Sequence, residues 1–397
     1  MYTGLVSTFA VLSKSYHIKQ SFRLYEQVLK INANLVAKVF PTVNKKCSFI
    51  LMTKLGSVLT LSSVMQLPTQ IKGEITMFNS SSVSVDIVIP TRGRGSLIDI
   101  TIASIRQSKH TNFNLWIADQ SDDDKTEVAV ASHVEADPRV HYIRTAPRGA
   151  SIGRNVGVMA GSAPYILFTD DDCRVEPDWV DQMLIEMVQN DASMVFGRVI
   201  PDESFKPAIP PGAKQVHPDA LPIAIKDVPH RQVFEGNRFN LGFGHGANMG
   251  ARRDWYEKVD GFDGPLGAGA ALGGWEERDL GYRVLARGGR IVYTPYAMVH
   301  HRHWRDWPST YRAFCNYALS SGAAVSKYVR CGDMATIRLL VQWSLEQGVR
   351  QVLSGIFKWQ SWPKIQVGLS QIVYPWVGLV KAMRYPINRQ QVLYQSN

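Results

Sequence analysis

Residues 163–179 read APYILFTDDDCRVEPDW, an apolar run that is followed at once by three aspartates. The part at 164–169 is short, apolar and bounded by charge, so it predicts a buried β-strand. Carboxylates this close together repel each other and raise each other's pKa, so the cluster is unfavourable by itself. We therefore expect positive charge at the tip of this strand.

Strands and helices alternate on both sides of this stretch. Apolar spacing predicts helices at 95–108, 151–162 and 273–289, and a short strand followed by a helix within 244–263. Apolar and β-branched runs predict further strands at 83–90, 113–121, 139–145, 192–200 and 290–304. The alternation is typical of an α/β domain with a mostly parallel central sheet, whose ligands bind at the carboxyl ends of strands. A proline-rich stretch at 201–235 interrupts it and predicts a loop over a binding site.

The charge of the chain is concentrated at its two ends. Residues 1–76 carry 9 Lys/Arg and 2 Asp/Glu, and residues 329–397 carry 8 and 2. The middle of the chain carries 27 basic and 30 acidic residues. A nucleic-acid-binding core would be expected to carry its own basic face, so this distribution argues against nucleic acid as a partner. Basic flanks fit an anionic membrane surface instead.

The cysteines and the N-terminal region indicate a cytoplasmic setting. The four cysteines are far apart and form no C-x-x-C pair, which predicts neither a zinc knuckle nor a disulfide framework. We find no cleavable signal peptide. The apolar segment at 48–67 is interrupted by Lys54 and is a poor membrane span. We expect a poorly defined extension at 1–76, which is also compatible with an over-long start, and a folded domain at 77–310.

Residues 311–397 are expected to form a C-terminal helical region. Within it, residues 337–359 place apolar side chains at helical spacing, with basic residues and tryptophans between them. This composition is typical of an amphipathic helix in a membrane interface. A helix packed on the flank of the domain would show the same spacing, so both interpretations stay open.

The aspartates suggest a metal site. Asp170 and Asp172, separated by one residue at a strand end, can present oxygens to one hard divalent cation. Mg²⁺ or Mn²⁺ is typically shared between such carboxylates and phosphate oxygens. A solvated acidic turn is the alternative.

Four motifs in this order strengthen the metal interpretation. They are VDIVIPTRGR at 85–94, WIADQSDD at 116–123, GASIGRNVGVMAGSAPYILFTDDDC at 149–173 and GGWEERDLGYRVLARGGRIVYTPYAMVHH at 273–301. Together they resemble the inverting family 2 glycosyltransferases with the GT-A fold, over roughly residues 83–303. The resemblance implies a GT-A-type αβα sandwich, and it does not cover the flanks.

The resemblance also implies roles for individual residues. Pro90, Thr91, Arg92 and Asp119 would hold the nucleotide base and ribose, with Arg154 and Asp171 near the donor. Asp170 and Asp172 would bind the metal and the diphosphate, and His300 or His301 would complete the metal shell. Asp119 could also simply end its strand in an Asx-turn. His245 and Asn248, in a glycine-rich stretch, are candidates for the acceptor side.

The catalytic base is the point at which the chain departs from the family pattern. The family usually has a Glu-Asp pair there, and this sequence has Glu276 and Glu277. The longer side chain could move the base by about an ångström, and such a displacement can change the rate by roughly 100-fold. Glu277 is the first candidate, and Glu276 remains a rival.

The sequence therefore predicts a metal-dependent inverting glycosyltransferase. It would move one sugar from a UDP-, GDP- or dTDP-sugar to a hydroxyl of a glycan or lipid-linked acceptor. Cell-envelope or extracellular polysaccharide biosynthesis, at the inner face of the cell membrane, is the expected setting. The alternative from another class is a non-catalytic nucleotide- or glycan-binding scaffold at the membrane.

Overall fold

The computed structural model describes residues 82–146, 149–205, 223–303 and 305–395. The chain divides into two compact units, Met1–Phe78 and Asn79–Asn397, and all described residues belong to the second. The predicted extension at 1–76 and the apolar segment at 48–67 lie outside the described residues.

Strands and helices alternate through the first half of this unit, as predicted. The elements are β1 (Val85–Thr91), α1 (Gly95–Arg106), β2 (Phe113–Asp119), α2 (Lys125–Ala136), β3 (Val140–Arg144), α3 (Ala150–Ala160) and β4 (Tyr165–Thr169). Every residue of β1 is buried, because helices cover parallel strands on both faces. Parallel pairing aligns Thr91 with Asp119, so the ends of β1 and β2 lie side by side.

The second half completes the same sheet with strands of both directions. The elements are β5 (Cys173–Val175), α4 (Trp179–Leu184), β6 (Met194–Pro201), β7 (Gln232–Phe234), β8 (Asn248–Arg252), α5 (Arg253–Lys258), α6 (Glu276–Ala286) and β9 (Ile291–His301). The predicted strand at 290–304 thus ends at His301. The short strands β5 and β7 were not predicted, because three residues are too few to show a period.

The strand order is β3-β2-β1-β4-β8-β6-β9-β5, and β7 also pairs with β9. Strands β1, β2, β3, β4, β6 and β9 run in one direction, whereas β5, β7 and β8 run in the other. The prediction of an α/β fold with a mostly parallel central sheet is therefore confirmed. Antiparallel pairing of β5 with β9 sets Cys173 opposite His301, which brings the chain after the aspartates beside the end of β9.

The C-terminal part is helical and ends in a small hairpin. Its elements are α7 (Trp307–Arg330), α8 (Ile337–Val341), α9 (Val349–Leu353), α10 (Trp362–Ala382), β10 (Ile387–Asn388) and β11 (Leu393–Tyr394). A 3₁₀ turn at Met334–Thr336 and π-helical segments at Gln342–Gly348 and Ser354–Lys358 join α8 and α9 into one C-terminal helical run, residues 334–358. Across the part of the chain that the structure describes, no helix combines the length and the apolar character that crossing a membrane requires.

A buried charge network connects α7 to α6. The ammonium of Lys327 is fully buried and donates to Asp263 at 2.5 Å and to Asp279 at 2.6 Å. Arg283, one turn after Asp279, donates to the same Asp279 carboxylate at 2.7 Å. Burial acts to raise the pKa of Asp279, but the charges of Arg283 and Lys327 lower it below its usual value. Asp279 and Arg283 thus form an i,i+4 pair on α6, and the charge of Lys327 from α7 completes the network.

Candidate active site

A cavity of about 530 Å³ lies at the carboxyl ends of β1 and β4, beside the start of α6. Most of the residues that the sequence singled out line it. They are Pro90, Thr91, Arg92, Arg154, Asp170, Asp171, His245, Glu276, Glu277 and His301. The proline-rich loop is described only in part, and Ile223 and Ala224 from its end also reach the cavity.

The aspartates after β4 contact two arginines, which supply positive charge at this strand tip. Arg94 donates through Nη1 to Asp171 at 2.6 Å and lies 3.4 Å from Asp172. Arg154 donates to Asp170 at 2.8 Å. Burial raises the pKa of Asp171 to about 6, although the charge of Arg94 acts in the opposite direction. The positive charge expected at this strand tip is therefore supplied in part by two arginines, Arg94 in the loop after β1 and Arg154 on α3.

Arg154 also binds one of the two glutamates of α6, Glu276. It is only 2% exposed and donates through Nη1 to Glu276 Oε1 at 2.9 Å, while its other terminal nitrogen holds Asp170. Burial opposes the charge of this guanidinium, but Asp170 and Glu276 raise the pKa of Arg154 above its usual value. Glu276 is consequently held as the counterion of a buried arginine.

Glu277 has a different environment. It is 4% exposed, lines the cavity, and its nearest ion-pair partner, Arg278, lies 3.8 Å away. Burial, and then the neighbouring charge of Glu276, raise the pKa of Glu277 to about 7. A carboxylate with such a pKa is suited to accept a proton near neutral pH.

The turn before α6 directs both glutamates into the cavity. Trp275 has φ of +79°, a left-handed conformation that is costly for a residue with a side chain and that clusters at functional sites. Its buried indole packs edge-to-face on Trp343 of the C-terminal helical run, with ring centroids 5.7 Å apart. Acidic residues in the first turn of α6 are also favoured by the helix dipole.

The end of β2 is organised around Asp119. This carboxylate is fully buried and accepts hydrogen bonds from the backbone N–H of Ser121 at 2.9 Å and from Tyr142 at 2.8 Å. The Ser121 hydroxyl donates to it as well and also accepts from the N–H of Gly93, at 2.7 Å. Asp119 is not among the residues that line the described cavity; it ties the loops after β1 and β2 together beneath it.

The two histidines at the end of β9 point to opposite faces of the strand, because side chains alternate along it. His301 lies in the cavity wall with Nε2 at 3.4 Å from Asp172 Oδ1. His300 instead pairs with Glu176 at 2.6 Å. Of the two candidates for the metal shell, the structure thus places His301 at the aspartates and His300 away from them.

The residues around Asp172 are compatible with a divalent cation. Oxygens of Asp172, a ring nitrogen of His301 and the sulfur of Cys173 lie within 4.8 Å of one another. The buried Nδ1 of His301 has no hydrogen-bond partner among the described residues. Burial raises the pKa of the Cys173 thiol well above its usual value, so the sulfur stays protonated and is a poor ligand. Carboxylate oxygens beside one imidazole fit a hard cation such as Mg²⁺ or Mn²⁺.

The two acceptor-side candidates have separate environments. His245 lines the cavity, and burial lowers the pKa of its imidazole to about 3, so the ring is neutral at pH 7. Asn248 does not line it. Its amide donates to the carbonyls of Arg198 and Ala297 at 2.9 Å each and accepts from Trp179 at 2.8 Å, which indicates a structural role.

The residues of the cavity that were missed from the sequence include Arg94, Arg305 and Tyr317. Arg94 comes from the loop after β1, whereas Arg305 and Tyr317 come from the chain before α7 and from α7 itself. Burial, and then the charges of Glu277 and Glu276, raise the pKa of Tyr317 above its usual range. Arg94 lies within a quoted motif and was accessible to sequence reasoning. Arg305 and Tyr317 lie beyond the motifs, and only the packing of α7 brings them to the site.

Comparisons with known proteins agree with this architecture. Residues 86–260 match the family model described as Glycosyl transferase family 2. A pre-mycofactocin glycosyltransferase of Mycobacterium tuberculosis is 24% identical over 233 residues, which cover 56% of this chain and 44% of that protein. A glucosyl-dolichyl phosphate glucuronosyltransferase of Haloferax volcanii is 23% identical over 224 residues, which cover 55% of this chain and 69% of that protein. The match therefore spans less than half the length of the mycobacterial relative.

Among solved structures, a mannosyltransferase of Pyrobaculum calidifontis in complex with GDP-Man and Mn²⁺ aligns with a TM-score of 0.48. The alignment has 12% sequence identity and covers 76% of this chain and 87% of that one.

Proposed function

We propose a sugar transfer for this chain, which belongs to glycosyltransferase family 2 by the match of its residues 86–260. It would move a single sugar from a nucleotide-sugar to an acceptor hydroxyl, with inversion at the anomeric carbon. A glycan or lipid-linked acceptor in cell-envelope or extracellular polysaccharide biosynthesis is the proposed setting. The name of the Haloferax volcanii relative, a glucosyl-dolichyl phosphate glucuronosyltransferase, supports a lipid-linked acceptor.

One observation carries the proposal: a buried carboxylate with a pKa raised to about 7 lines the same cavity as Asp170 and Asp171. We assign Glu277 as the base. Its carboxylate would take the proton of the acceptor hydroxyl while that oxygen bonds to the anomeric carbon. The bond from this carbon to the donor phosphate would break, and its electron pair would leave with the diphosphate. Such a base contributes about 10²–10⁴-fold to the rate.

Glu276 is the weaker candidate for the same role. Its Oε1 accepts a hydrogen bond from the buried Arg154 at 2.9 Å, so this oxygen is already engaged and is less available to an acceptor hydroxyl. In this proposal Arg154 holds Glu276 and Asp170 at fixed positions, so it links the donor aspartates with the start of α6.

The donor would lie along the loops after β1 and β2. Pro90, Thr91 and Arg92 are assigned to the nucleotide, and Asp119 supports their loops from below. Asp170, Asp172 and His301 would hold Mg²⁺ or Mn²⁺, which supplies Lewis-acid stabilisation of the leaving diphosphate when bound. Asp171, bound to Arg94, keeps that guanidinium beside the phosphate site. His300, paired with Glu176, is not assigned a role.

The acceptor would approach from the side of α7. Tyr317 of α7 and His245 both line the cavity and are uncharged at neutral pH, since burial lowers the pKa of His245 and raises that of Tyr317. Neutral groups that donate and accept hydrogen bonds suit a sugar hydroxyl. We place the reaction at the inner face of the cell membrane, where the basic flanks of the chain would meet anionic lipid.

The test is calorimetric titration of UDP-, GDP- and dTDP-sugars with Mn²⁺, followed by donor turnover. We expect one nucleotide class to bind. Asp172→Asn should abolish the Mn²⁺ dependence of binding, whereas Glu277→Gln should bind donor normally and lose turnover. Asp191→Asn, at a carboxylate 84% exposed, is the matched control. Binding without turnover in the wild-type chain would favour the scaffold alternative, and no nucleotide binding at all would contradict the donor site.

A further inference from the structure

The C-terminal helical run and α10 expose their large apolar side chains. Along the run, Ile337, Val341, Leu345, Val349, Leu353 and Ile356 recur every three to four residues, and each is between 37% and 55% exposed. This spacing puts them on one helical face. The residues that the sequence assigned to an amphipathic helix therefore point largely outward, not toward the domain.

The second helix shows the same orientation. On α10, Leu369, Val373, Trp376, Val380 and Met383 are between 45% and 61% exposed and follow the same spacing. We refer to these residues and the six on the run as the outer face. Trp359, in the turn between the two helices, and Trp362, the first residue of α10, are 47% and 63% exposed.

Small residues lie where the two helices approach each other most closely, beside the side chains of Val352, Ile365 and Ile372. Ser344, Gly348 and Gly355 of the run are buried, as is Gly368 of α10. A methyl group at Gly348 would lie 3.1 Å from the carbonyl oxygen of Gly368, so the two backbones touch. Water-soluble helices normally bury large apolar residues and expose polar ones. Small residues inside and large apolar residues outside are typical of helices that pack in lipid.

Charge identifies the kind of lipid. Residues 334–384 contain six Lys/Arg and a single acidic residue, Glu346. Arg338, Arg350, Lys381 and Arg384 are exposed beside the apolar stripes. Tryptophans and basic residues that flank an apolar helical face are characteristic of the headgroup region of an anionic membrane.

We propose that the outer face lies in the headgroup–acyl boundary of an anionic bilayer, with both helices parallel to the membrane plane. In-plane binding agrees with the absence of a helix able to cross a membrane among the described residues. A second copy of the chain is the less suitable occupant. A symmetric interface would set the basic residues of one copy against those of the other, and like charges repel.

The same helices contact the cavity. α10 packs on α7 through Gly378, whose position against the carbonyl of Leu319 leaves no space for a side chain. Tyr317, two residues away, lines the cavity. Trp343 of the run packs on Trp275, the residue before Glu276. If the proposed transfer is correct, on which this step rests, a membrane at the outer face would present lipid-linked acceptors to the α7 side of the cavity.

Vesicle co-sedimentation of the full chain tests the surface without any use of activity. The probes are vesicles of phosphatidylcholine mixed with phosphatidylglycerol, and of phosphatidylcholine alone. We expect binding to the anionic vesicles. The variant Val373→Gln/Trp376→Gln/Val380→Gln should bind at least about tenfold more weakly. Val128→Gln/Met159→Gln, at sites 73% and 83% exposed on α2 and α3, is the matched control and should bind as wild type.

A charge variant and a depth measurement complete the test. Arg350→Gln/Arg384→Gln should lose about fivefold per charge, on anionic vesicles only. Brominated lipids quench the fluorescence of tryptophans that lie in the bilayer. Trp376→Phe, which keeps an apolar ring, should reduce the amount of fluorescence that these lipids quench.

The proposal is overturned if the wild-type chain ignores anionic vesicles or if the triple variant binds them like wild type. It is also overturned if ultracentrifugation shows a dimer that the triple variant dissociates while vesicle binding is unchanged. Because donor binding is measured separately, failure here leaves the transferase proposal standing.

Discussion

At the scale of single residues, the two adjacent glutamates of α6 differ because of one arginine. Arg154 reaches from α3 and donates hydrogen bonds to Glu276 at 2.9 Å and to Asp170 at 2.8 Å. Among the described residues, the ion-pair partner of Glu277 is Arg278 at 3.8 Å, and burial raises the pKa of Glu277 to about 7. Identical side chains one position apart therefore have different partners in the folded chain.

The pH dependence of turnover follows from this assignment. A base must be deprotonated to act, so kcat should rise about tenfold per pH unit below a pKa near 7 and level off above it. The measurement is kcat against pH at saturating donor and Mn²⁺. In the Glu276→Gln variant, kcat should still fall at low pH with a single ionisation, that of Glu277. A profile that stays flat from pH 5 to 9 would exclude Glu277 as the base.

The ionisation of Glu277 that permits turnover should lower the stability of the fold. The pKa of Glu277 is higher in the folded chain than its usual 4.5, so ionisation destabilises the fold as pH rises from about 4.5 through 7. Glu277→Gln should raise the free energy of unfolding by about 1–3 kcal/mol at pH 8 and leave it unchanged at pH 4. Urea unfolding at both pH values checks this. Glu135→Gln, at an exposed glutamate of α2, should change neither value.

At the scale of elements, the position of α6 depends on α7. The Lys327 ammonium is fully buried and bound to Asp263 and Asp279, and the Tyr328 hydroxyl donates to Asp279 at 2.5 Å. Asp279 lies on α6, less than one turn after Glu277. A buried charge of this kind stabilises one arrangement of the helices, since any shift would leave a charge without its partner.

Removal of this charge should be costly. Lys327→Met leaves two buried carboxylates without their common cation, so we expect a loss of about 3–5 kcal/mol in the free energy of unfolding. Chemical denaturation against wild type is the measurement. The control is Lys109→Met, at an exposed lysine after α1, which should stay within about 0.5 kcal/mol. Equal stabilities of the two variants would mean that the network contributes nothing.

At the scale of the whole molecule, the C-terminal helices pack into the same hydrophobic core as the central sheet, and specific contacts tie them to α6. Trp343 packs on Trp275, Lys327 joins Asp263 and Asp279, and the Tyr394 hydroxyl in the final hairpin donates to the carbonyl of Ala323 at 2.6 Å. These contacts join segments that are far apart in the sequence. The active-site cavity thus depends on residues well beyond the four motifs.

Hydrogen exchange followed by mass spectrometry tests this dependence. Peptides from α7 and α10 should exchange with the same free energy of opening as peptides from β1 and β4, because buried contacts make them one cooperative unit. In Lys327→Met the α7 peptides should lose protection before the sheet does. If α7 and α10 already exchange much faster than the sheet in the wild-type chain, the coupling is absent.

Much of the fold could be predicted from short-range pattern. Apolar periodicity indicated the parallel strands and their helices, and the order of the motifs indicated the edge of the sheet at which the aspartates meet. These predictions succeed because each depends on neighbours in the sequence. Pairing with distant strands decides that β5 and β7 form and that β8 runs antiparallel between β4 and β6. No local period in the sequence encodes that pairing.

The sequence by itself determined that carboxylates accumulate at a strand end, that two glutamates begin a helix, and that the C-terminal helices are apolar and basic. Only the tertiary structure decided which glutamate Arg154 binds and whether His300 or His301 faces the aspartates. It also decided that the apolar residues of the C-terminal helices face outward. The physical reason is the same in each case. Charge, pKa and exposure are set by the groups that packing brings within a few ångströms, and for the glutamate and the histidine those groups lie over a hundred residues away in the sequence.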